Sequence, residues 1–316
     1  MDTEVPSADG VVIGIDIGGT KTQATAFDAH SNQIAELRVP TVGDGNDAVA
    51  MMTVHTIAAL KGELGDRSVE AIGIGIPGLV TLAEGSVRQA VNLGIGDEPL
   101  NLGSRVAAAH GVPCYVDNDV NVAALGAYQI LGEGGDTSDL AYLSIGTGIA
   151  AGVIIHGRLH HGRRGVAGEI GHFPVIPDGI RCECGLQGCL ETVASGAAIR
   201  RQWPDAAGVS PAASLVRAAS AGHEQAIVTL QTIAGHLASA IYLLAITYDV
   251  ERIIVGGGVA EVGQDLMVAI HDGLRELENR SGFVQSLDLT SRVFLTPAGP
   301  VGTVGAAALT KPCHHP

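Results

Sequence analysis

The densest group of metal-ligating side chains in the sequence is His172-x9-Cys182-x-Cys184-x4-Cys189. Three thiolates and one imidazole complete a tetrahedral zinc shell. Gly185 and Gly188, inside the loop, supply the backbone freedom that such a shell demands. All four ligand positions come from protein, so the expected zinc is structural and not hydrolytic. The competing reading is a set of reduced thiols beside a packed histidine. Glu169 and Glu191 flank the cluster. A folded loop can hold both carboxylates at one cleft, where they accept hydrogen bonds from a polyhydroxyl ligand; alternatively they solvate its rim. If one ring nitrogen of His172 ligates zinc, the other can donate to that same ligand.

A second kind of chemistry is offered by glycine turns. Asp16 closes an apolar run and is followed by Gly18-Gly19-Thr20-Lys21. Small residues let the backbone approach phosphate oxygens, Thr20 offers a hydroxyl, Lys21 offers charge, and Asp16 can hold Mg²⁺ directly or through water. The segment is not a Walker A loop, because Thr20 follows Gly19 where that loop needs lysine. An ordinary hairpin turn is the plain alternative. Gly146-Thr147-Gly148 repeats the theme after another apolar run, and Gly256-Gly257-Gly258 after a third. The last triplet can admit a base or sugar close to the backbone, or simply start a helix.

Asp117-Asn118-Asp119 precedes an alanine-rich segment, with Asn121 two residues beyond. Such residues suit a helix N-cap. A calcium-loop reading fails, since Val122 and Tyr128 stand where that loop needs Gly and Glu. A carboxylate at this junction can also take the proton of an attacking hydroxyl. Asp119 is the better base candidate, beside an Asn118 amide able to donate and accept. Asp117 is expected to face solvent or to support the turn. His160-His161 with Arg163-Arg164 reads as an exposed basic turn, Cys313-His314-His315 as a frayed tail, and Cys114 as an inert core thiol.

These groups need strands that end in turns. Apolar runs and alternation predict strands at 11–16, 23–27, 33–39, 71–76, 113–116, 140–145, 151–155, 252–255 and 292–295. Helices are expected over 48–60, 120–131, from 258 to about 277, and over 302–309. Helices also dominate 191–247, apart from turns near Pro204 and Pro211. Two strand–turn–strand units, beginning near Val11 and Leu140, can each present free N–H groups to one ligand from two domains. A domain boundary is expected near residue 120.

The 316 residues carry 46% hydrophobic and 16% charged side chains, which excludes a disordered chain. Eighteen basic against 33 acidic residues give a formal charge of -15, which argues against nonspecific binding to nucleic acid or anionic membrane. Met1–Gly10 is acidic and lacks the pattern of a signal peptide. The run 233–248 is short and interrupted by His236, and reads as a buried helix. Five cysteines, three of them in one cluster, do not suggest a disulfide framework, so the cytoplasm is the expected compartment.

Together the stretches Asp16-Ile17-Gly18-Gly19-Thr20-Lys21, Gly75-Ile76-Pro77-Gly78, Asn118-Asp119-Val120-Asn121, Gly146-Thr147-Gly148, Glu169-Ile170-Gly171-His172 and Cys182 to Glu191 resemble the ROK family (repressors, open reading frames and kinases). Gly256–Gly258 and Gly302–Ala308 continue a resemblance running from about Val12 to Leu309. It implies an α/β, two-lobed actin-like ATPase (ribonuclease H-like) sugar kinase fold with a structural zinc loop. The first lobe would be 1–120, joined by the C-terminal helix, and the second 121–316.

The implied activity is transfer of the γ-phosphoryl group of ATP, with Mg²⁺, to the 6-hydroxyl of a hexose. By that resemblance Asp119 is the general base, and Asn118, Glu169, His172 and Glu191 are sugar ligands, with Gly78 and Asn92 as additions. Asp16, Gly18, Gly19, Thr20 and Lys21 form a first phosphate motif; Gly146, Thr147 and Gly148 form a second. Gly256, Gly257 and Gly258 take the adenosine region, and zinc falls on His172, Cys182, Cys184 and Cys189. A homodimer is implied, and the acidic composition adds the expectation of no nucleic-acid or membrane partner.

Two departures stand out. Ala150 and Ala151 occupy places where many relatives carry glycine, and Ile95 and Gly96 stand where glucokinase-like members often carry an aromatic residue. Glucose is the first expectation, with N-acetylglucosamine, N-acetylmannosamine and other aminosugars as alternatives. The rival class is a sugar-responsive repressor or a silent sugar sensor. A repressor needs a DNA-binding segment before the core, and the leader before Val11 is expected to be too short for one.

Overall fold

The computed structural model describes residues 10–132, 139–203 and 208–311. The leader 1–9, the expected turn near Pro204 and the Cys313-His314-His315 tail lie outside them. The chain divides into two compact units: unit 1 is 1–137, 158–166 and 297–316, and unit 2 is 138–157 and 167–296. The division therefore falls after residue 137 and not near 120.

Unit 1 is built from β1 (Gly10–Ile17), β2 (Lys21–Phe27), β3 (Gln33–Pro40), α1 (Asn46–Gly62), β4 (Ser68–Ile76), a hairpin of β5 (Leu79–Thr81) and β6 (Ser86–Arg88), α2 (Leu102–His110), β7 (Cys114–Asn118) and α3 (Asp119–Gly132). Its main sheet has the order β3-β2-β1-β4-β7. β2 runs antiparallel to both β1 and β3, while β1, β4 and β7 are mutually parallel. Ile13, Ile15, Ile17, Ile72, Ile74 and Ile76 are fully enclosed, as expected for central strands covered on both faces.

The parallel register matters most for function. Asp16 pairs with Gly75, Gly75 with Asp117, and Ile76 with Asn118. Three candidate segments are thereby carried to one edge of one sheet, at the carboxyl ends of its parallel strands, where α/β sheets place their ligands.

The C-terminal helix Val301–Ala308 belongs to unit 1 and packs on β1, β4 and α3. Small residues make this possible. A Cβ at Gly73 would come within 1.7 Å of Ala306 O, and one at Gly305 within 1.8 Å of Val122 O. A larger residue at Gly73 pushes the helix off the sheet and one at Gly305 pushes it off α3, which rationalises the run Val301-Gly-Thr-Val-Gly-Ala-Ala-Ala308.

Unit 2 opens with β8 (Leu140–Ile145) and β9 (Ile149–Ile155), an antiparallel hairpin. β8 then pairs in parallel with the strand Arg252–Gly256, and that strand with Val293–Leu295. The hairpin-then-parallel pattern of unit 1 thus recurs. Helices Gly196–Gln202, Pro211–Ser220, Glu224–Tyr248 and Gln264–Arg280 supply much of the remaining core. Pro211 is the first residue of its helix, where a missing N–H costs nothing, and the Ser210 hydroxyl accepts from Ala213 N–H. Helix Glu224–Tyr248 is long and apolar enough to cross a membrane by length and composition alone. Its Ile233, Leu237, Ile241 and Leu244 are fully buried in the unit 2 core at the i, i+4, i+8, i+11 spacing of one helical face.

Candidate active site and metal centre

In unit 2 the four predicted zinc ligands converge. The ligating atoms of His172, Cys182, Cys184 and Cys189 all lie within 4.8 Å of one another. Cys182 Sγ is 3.5 Å from His172 Nδ1, and Cys184 Sγ is 3.6 Å from Cys189 Sγ. Zinc bonds of about 2.0–2.3 Å in a tetrahedron give ligand–ligand edges of roughly 3.5–3.8 Å, so the donor set fits the ion in kind and these two edges fit it in spacing. Short-range geometry builds the loop: Cys182 N–H donates to Leu186 O, and Cys189 follows Gly188, held at φ 71°.

The flanking carboxylates meet this cluster. Glu191 Oε1 accepts from the Cys182 thiol at 3.1 Å and lies 3.5 Å from His172 Nδ1; Glu169 Oε2 stands 4.0 Å from His172 Nε2. The two ring nitrogens therefore face different groups, Nδ1 the thiols and Nε2 the outer carboxylate. Burial raises the Glu169 pKa above the ordinary carboxylate value, against the pull of His172 and with Glu191 adding to the rise.

Glu191 also links the cluster to the glycine turn at the end of β8. A Cβ at Gly148 would sit 2.8 Å from Glu191 Oε2. The turn itself is pinned from behind: Gly196 N–H donates to Gly146 O, and Ala197 N–H to Thr147 O. Beside it, Gly257 adopts φ 83°, and a Cβ there would lie 2.7 Å from the Ile145 backbone. Gly256 pairs with Ser144, so the turns 146–148 and 256–258 are neighbours at the carboxyl ends of adjacent parallel strands. A Cβ at Gly146 or Gly258 would meet nothing within 4 Å, which leaves room above both.

In unit 1, Gly18 N–H donates to Lys21 O at 2.9 Å, so the turn closes on itself and Gly18 has no amide left for an anion. Gly19, Thr20 and Lys21 are exposed. Thr41 braces the turn, its hydroxyl donating to Gly18 O and its N–H to Thr20 O. Asn92 stands alongside: its Cβ would be 3.7 Å from a Cβ on Gly19.

Asp16 lies against the first turn of the C-terminal helix, where a Cβ on Gly302 would meet Asp16 Oδ2 at 2.3 Å. Burial raises its pKa from 3.8 to about 6, with Lys21 pulling the other way. The folded protein then holds this proton more tightly than the unfolded chain, so stability falls as pH climbs from 3.8 to about 6. Asp16→Asn is expected to remove that penalty, stabilising the unliganded protein at neutral pH by on the order of 2 kcal/mol. The gain should vanish below the unfolded-state carboxyl pKa; thermal melts of both proteins across pH would show it, and a gain equal at every pH would refute it.

The Asp117–Asn121 junction is tightly wired. Asn118 Nδ2 donates to Gly78 O at 3.1 Å, and Asn118 Oδ1 accepts from Val120 N–H at 2.9 Å. Asp119 opens α3, with its Oδ1 accepting from Val120 N–H at 3.0 Å. Asp117 does not face solvent; its side chain is 3% exposed and bonded to His161 Nε2 at 2.6 Å. His161 is correspondingly not part of an exposed basic turn, although Arg163 and Arg164 are exposed. A pair separated by 44 residues leaves no local spacing by which sequence reading can find it. Cys114 is half-buried, and burial pushes its thiol up to about 12, which keeps it protonated and inert.

The model of the ROK family matches residues 12–312. A glucokinase of Halalkalibacterium halodurans is 33% identical over 284 residues, 83% of this chain and 84% of that one. Among solved structures, a ROK family glucokinase from Streptomyces griseus in complex with glucose and AMPPNP is 30% identical, with TM-score 0.76, covering 95% of this chain and 99% of that one. A ROK family transcriptional regulator, a homologue of the E. coli MLC protein, is 26% identical with TM-score 0.80, covering 95% of this chain and 77% of that one. The chain belongs to the ROK family of sugar kinases and regulators, with an α/β kinase-like fold.

Proposed function

We propose that the protein is an ATP-dependent hexose 6-kinase of two actin-like lobes, with glucose as first acceptor. The observation that carries this reading is the Asp117–Asn121 junction: a carboxylate opens α3 beside an amide already fixed by Gly78 and Val120. A sensor or regulator needs to bind sugar but has no use for a base at that point.

In the proposed reaction Asp119 accepts the proton of the sugar 6-hydroxyl as that oxygen bonds to the γ-phosphorus, the bond to the β-phosphate oxygen breaks, and ADP leaves. Asn118, Glu169, His172 and Glu191 orient the sugar, with Gly78 and Asn92 as additional contacts. Gly19, Thr20 and Lys21 meet phosphate from unit 1, Gly146–Gly148 from unit 2, and Gly256–Gly258 border adenosine. Mg²⁺ would be held by Asp16, directly or through water, and supplies positive charge that offsets the phosphates. Zinc at His172, Cys182, Cys184 and Cys189 is structural. A cytoplasmic homodimer is part of the same reading.

The test is a panel of hexoses and N-acetylhexosamines with ATP and Mg²⁺, following ADP release and the position of the new phosphate. Turnover of glucose to a 6-phosphate is the expected result. Sugar binding without ADP release from any acceptor would favour the sensor or regulator reading, and preference for an N-acetylated sugar would reassign the acceptor.

A further inference from the structure

We propose that His161 is a positioning residue for the phosphoryl-transfer base, fixing the Asp117–Asn121 turn, and with it the direction of the Asp119 carboxylate, through its bond to buried Asp117. The role rests on Asp119 acting as that base.

A buried carboxylate must have donors or it will neutralise or move toward water. Asp117 Oδ1 accepts from Asn118 N–H at 2.7 Å and from Asn121 Nδ2 at 3.1 Å. Both donors sit in the same turn, so they shape it without fastening it to anything else. Among the described residues, Oδ2 takes its bond from His161 Nε2, at a distance of 2.6 Å that marks a charge-assisted contact. His161 arrives on the segment 158–166, which belongs to unit 1 although unit 2 chain flanks it on both sides. The imidazole is itself largely covered, at 19% exposure. Burial alone would lower its pKa, but the hydrogen bond and charge of Asp117 outweigh that and raise it, favouring the donating ring.

Besides the β4–β7 ladder, two described side-chain bonds fasten the turn from outside itself: Asn118 to Gly78 O, and Asp117 to His161. Losing the second leaves Oδ2 buried and unpaired, and the turn must shift to satisfy it. Asp119, two residues on, shifts with it. A general base works only within hydrogen-bond reach of its proton, and misplacement by about 1 Å costs up to roughly 100-fold in rate.

The experiment compares His161→Leu, His161→Gln, Asp119→Asn and the Asp119→Asn/His161→Leu double variant. The Leu variant is expected to lose about 10- to 100-fold in kcat with sugar KM changed little. Gln, which keeps a donor, should recover most of the loss. Amide exchange at residues 118–121 should quicken in the Leu variant while β1 and β4 stay protected. On the Asp119→Asn background, adding Leu should cost nothing further, since the group being aimed is gone.

Parental kcat in His161→Leu, or a loss that Gln does not restore, overturns the proposal while leaving Asp119 as base. So does a loss that reappears in full on the Asp119→Asn background. Full turnover by Asp119→Asn alone overturns the base assignment, and the positioning role with it.

Discussion

Asp119→Asn is expected to lower kcat by between about 100- and 10,000-fold while sugar and nucleotide affinities stay within a few-fold of the parent. The substitution is close to isosteric, and its amide oxygen can still accept the Val120 N–H that Asp119 Oδ1 now takes, so the start of α3 should hold its shape. What is lost is the carboxylate that takes the hydroxyl proton in the proposed reaction. An alkoxide is not free to form without an acceptor, and the barrier rises accordingly. The measurement is steady-state ADP release beside calorimetric sugar binding. Retained binding with lost turnover supports the base role, and turnover near the parental rate removes Asp119 from it.

How far these sites could be read from sequence follows from the range of the interactions that build them. The strands were legible because apolar runs end at polar or glycine signals: Ile13 to Asp16, Ile72 to Pro77, Leu140 to Gly146 and Ile253 to Gly256 all carry their own stop. The metal cluster was legible because its ligands crowd one loop. Less visible were β5 and β6, whose three-residue length holds no period, and α2, whose Asn101 makes no side-chain cap.

The unit boundary was hidden for a different reason. Val301–Ala308 returns to β1 and β4 through backbone contacts at Gly14 and Gly73, and small residues leave no pattern that names their partner. Asp117 shows the same limit in a polar setting. Its local bonds look like an ordinary cap, and the residue that gives it meaning lies 44 positions away. The turn at Gly18 adds a subtler case: glycine content suggests open amides, but which amide is open depends on the hydrogen bond to Lys21 O.

Cys184→Ala should release zinc and weaken sugar binding by about 10- to 100-fold. Of the three thiols, Cys184 is the informative one because it is exposed, whereas Cys182 and Cys189 are buried. Truncating either of those adds a cavity to the loss of a ligand; truncating Cys184 removes a ligand alone. Metal-binding energy in such a loop is folding energy, so the strand of chain between Pro174, which bridges Cys189, and Glu191 should loosen. His172 then loses the partner that fixes its Nδ1, and Glu191, whose two oxygens lie against Cys182 and Gly148, loses its footing on one side. Nucleotide affinity should change less, because the turn 146–148 keeps its bonds to Gly196 and Ala197. Zinc quantification with separate sugar and nucleotide titrations distinguishes the outcomes. Stoichiometric zinc in the variant rejects the ligand assignment. Lost zinc with unchanged sugar affinity breaks the connection between the metal loop and the sugar cleft.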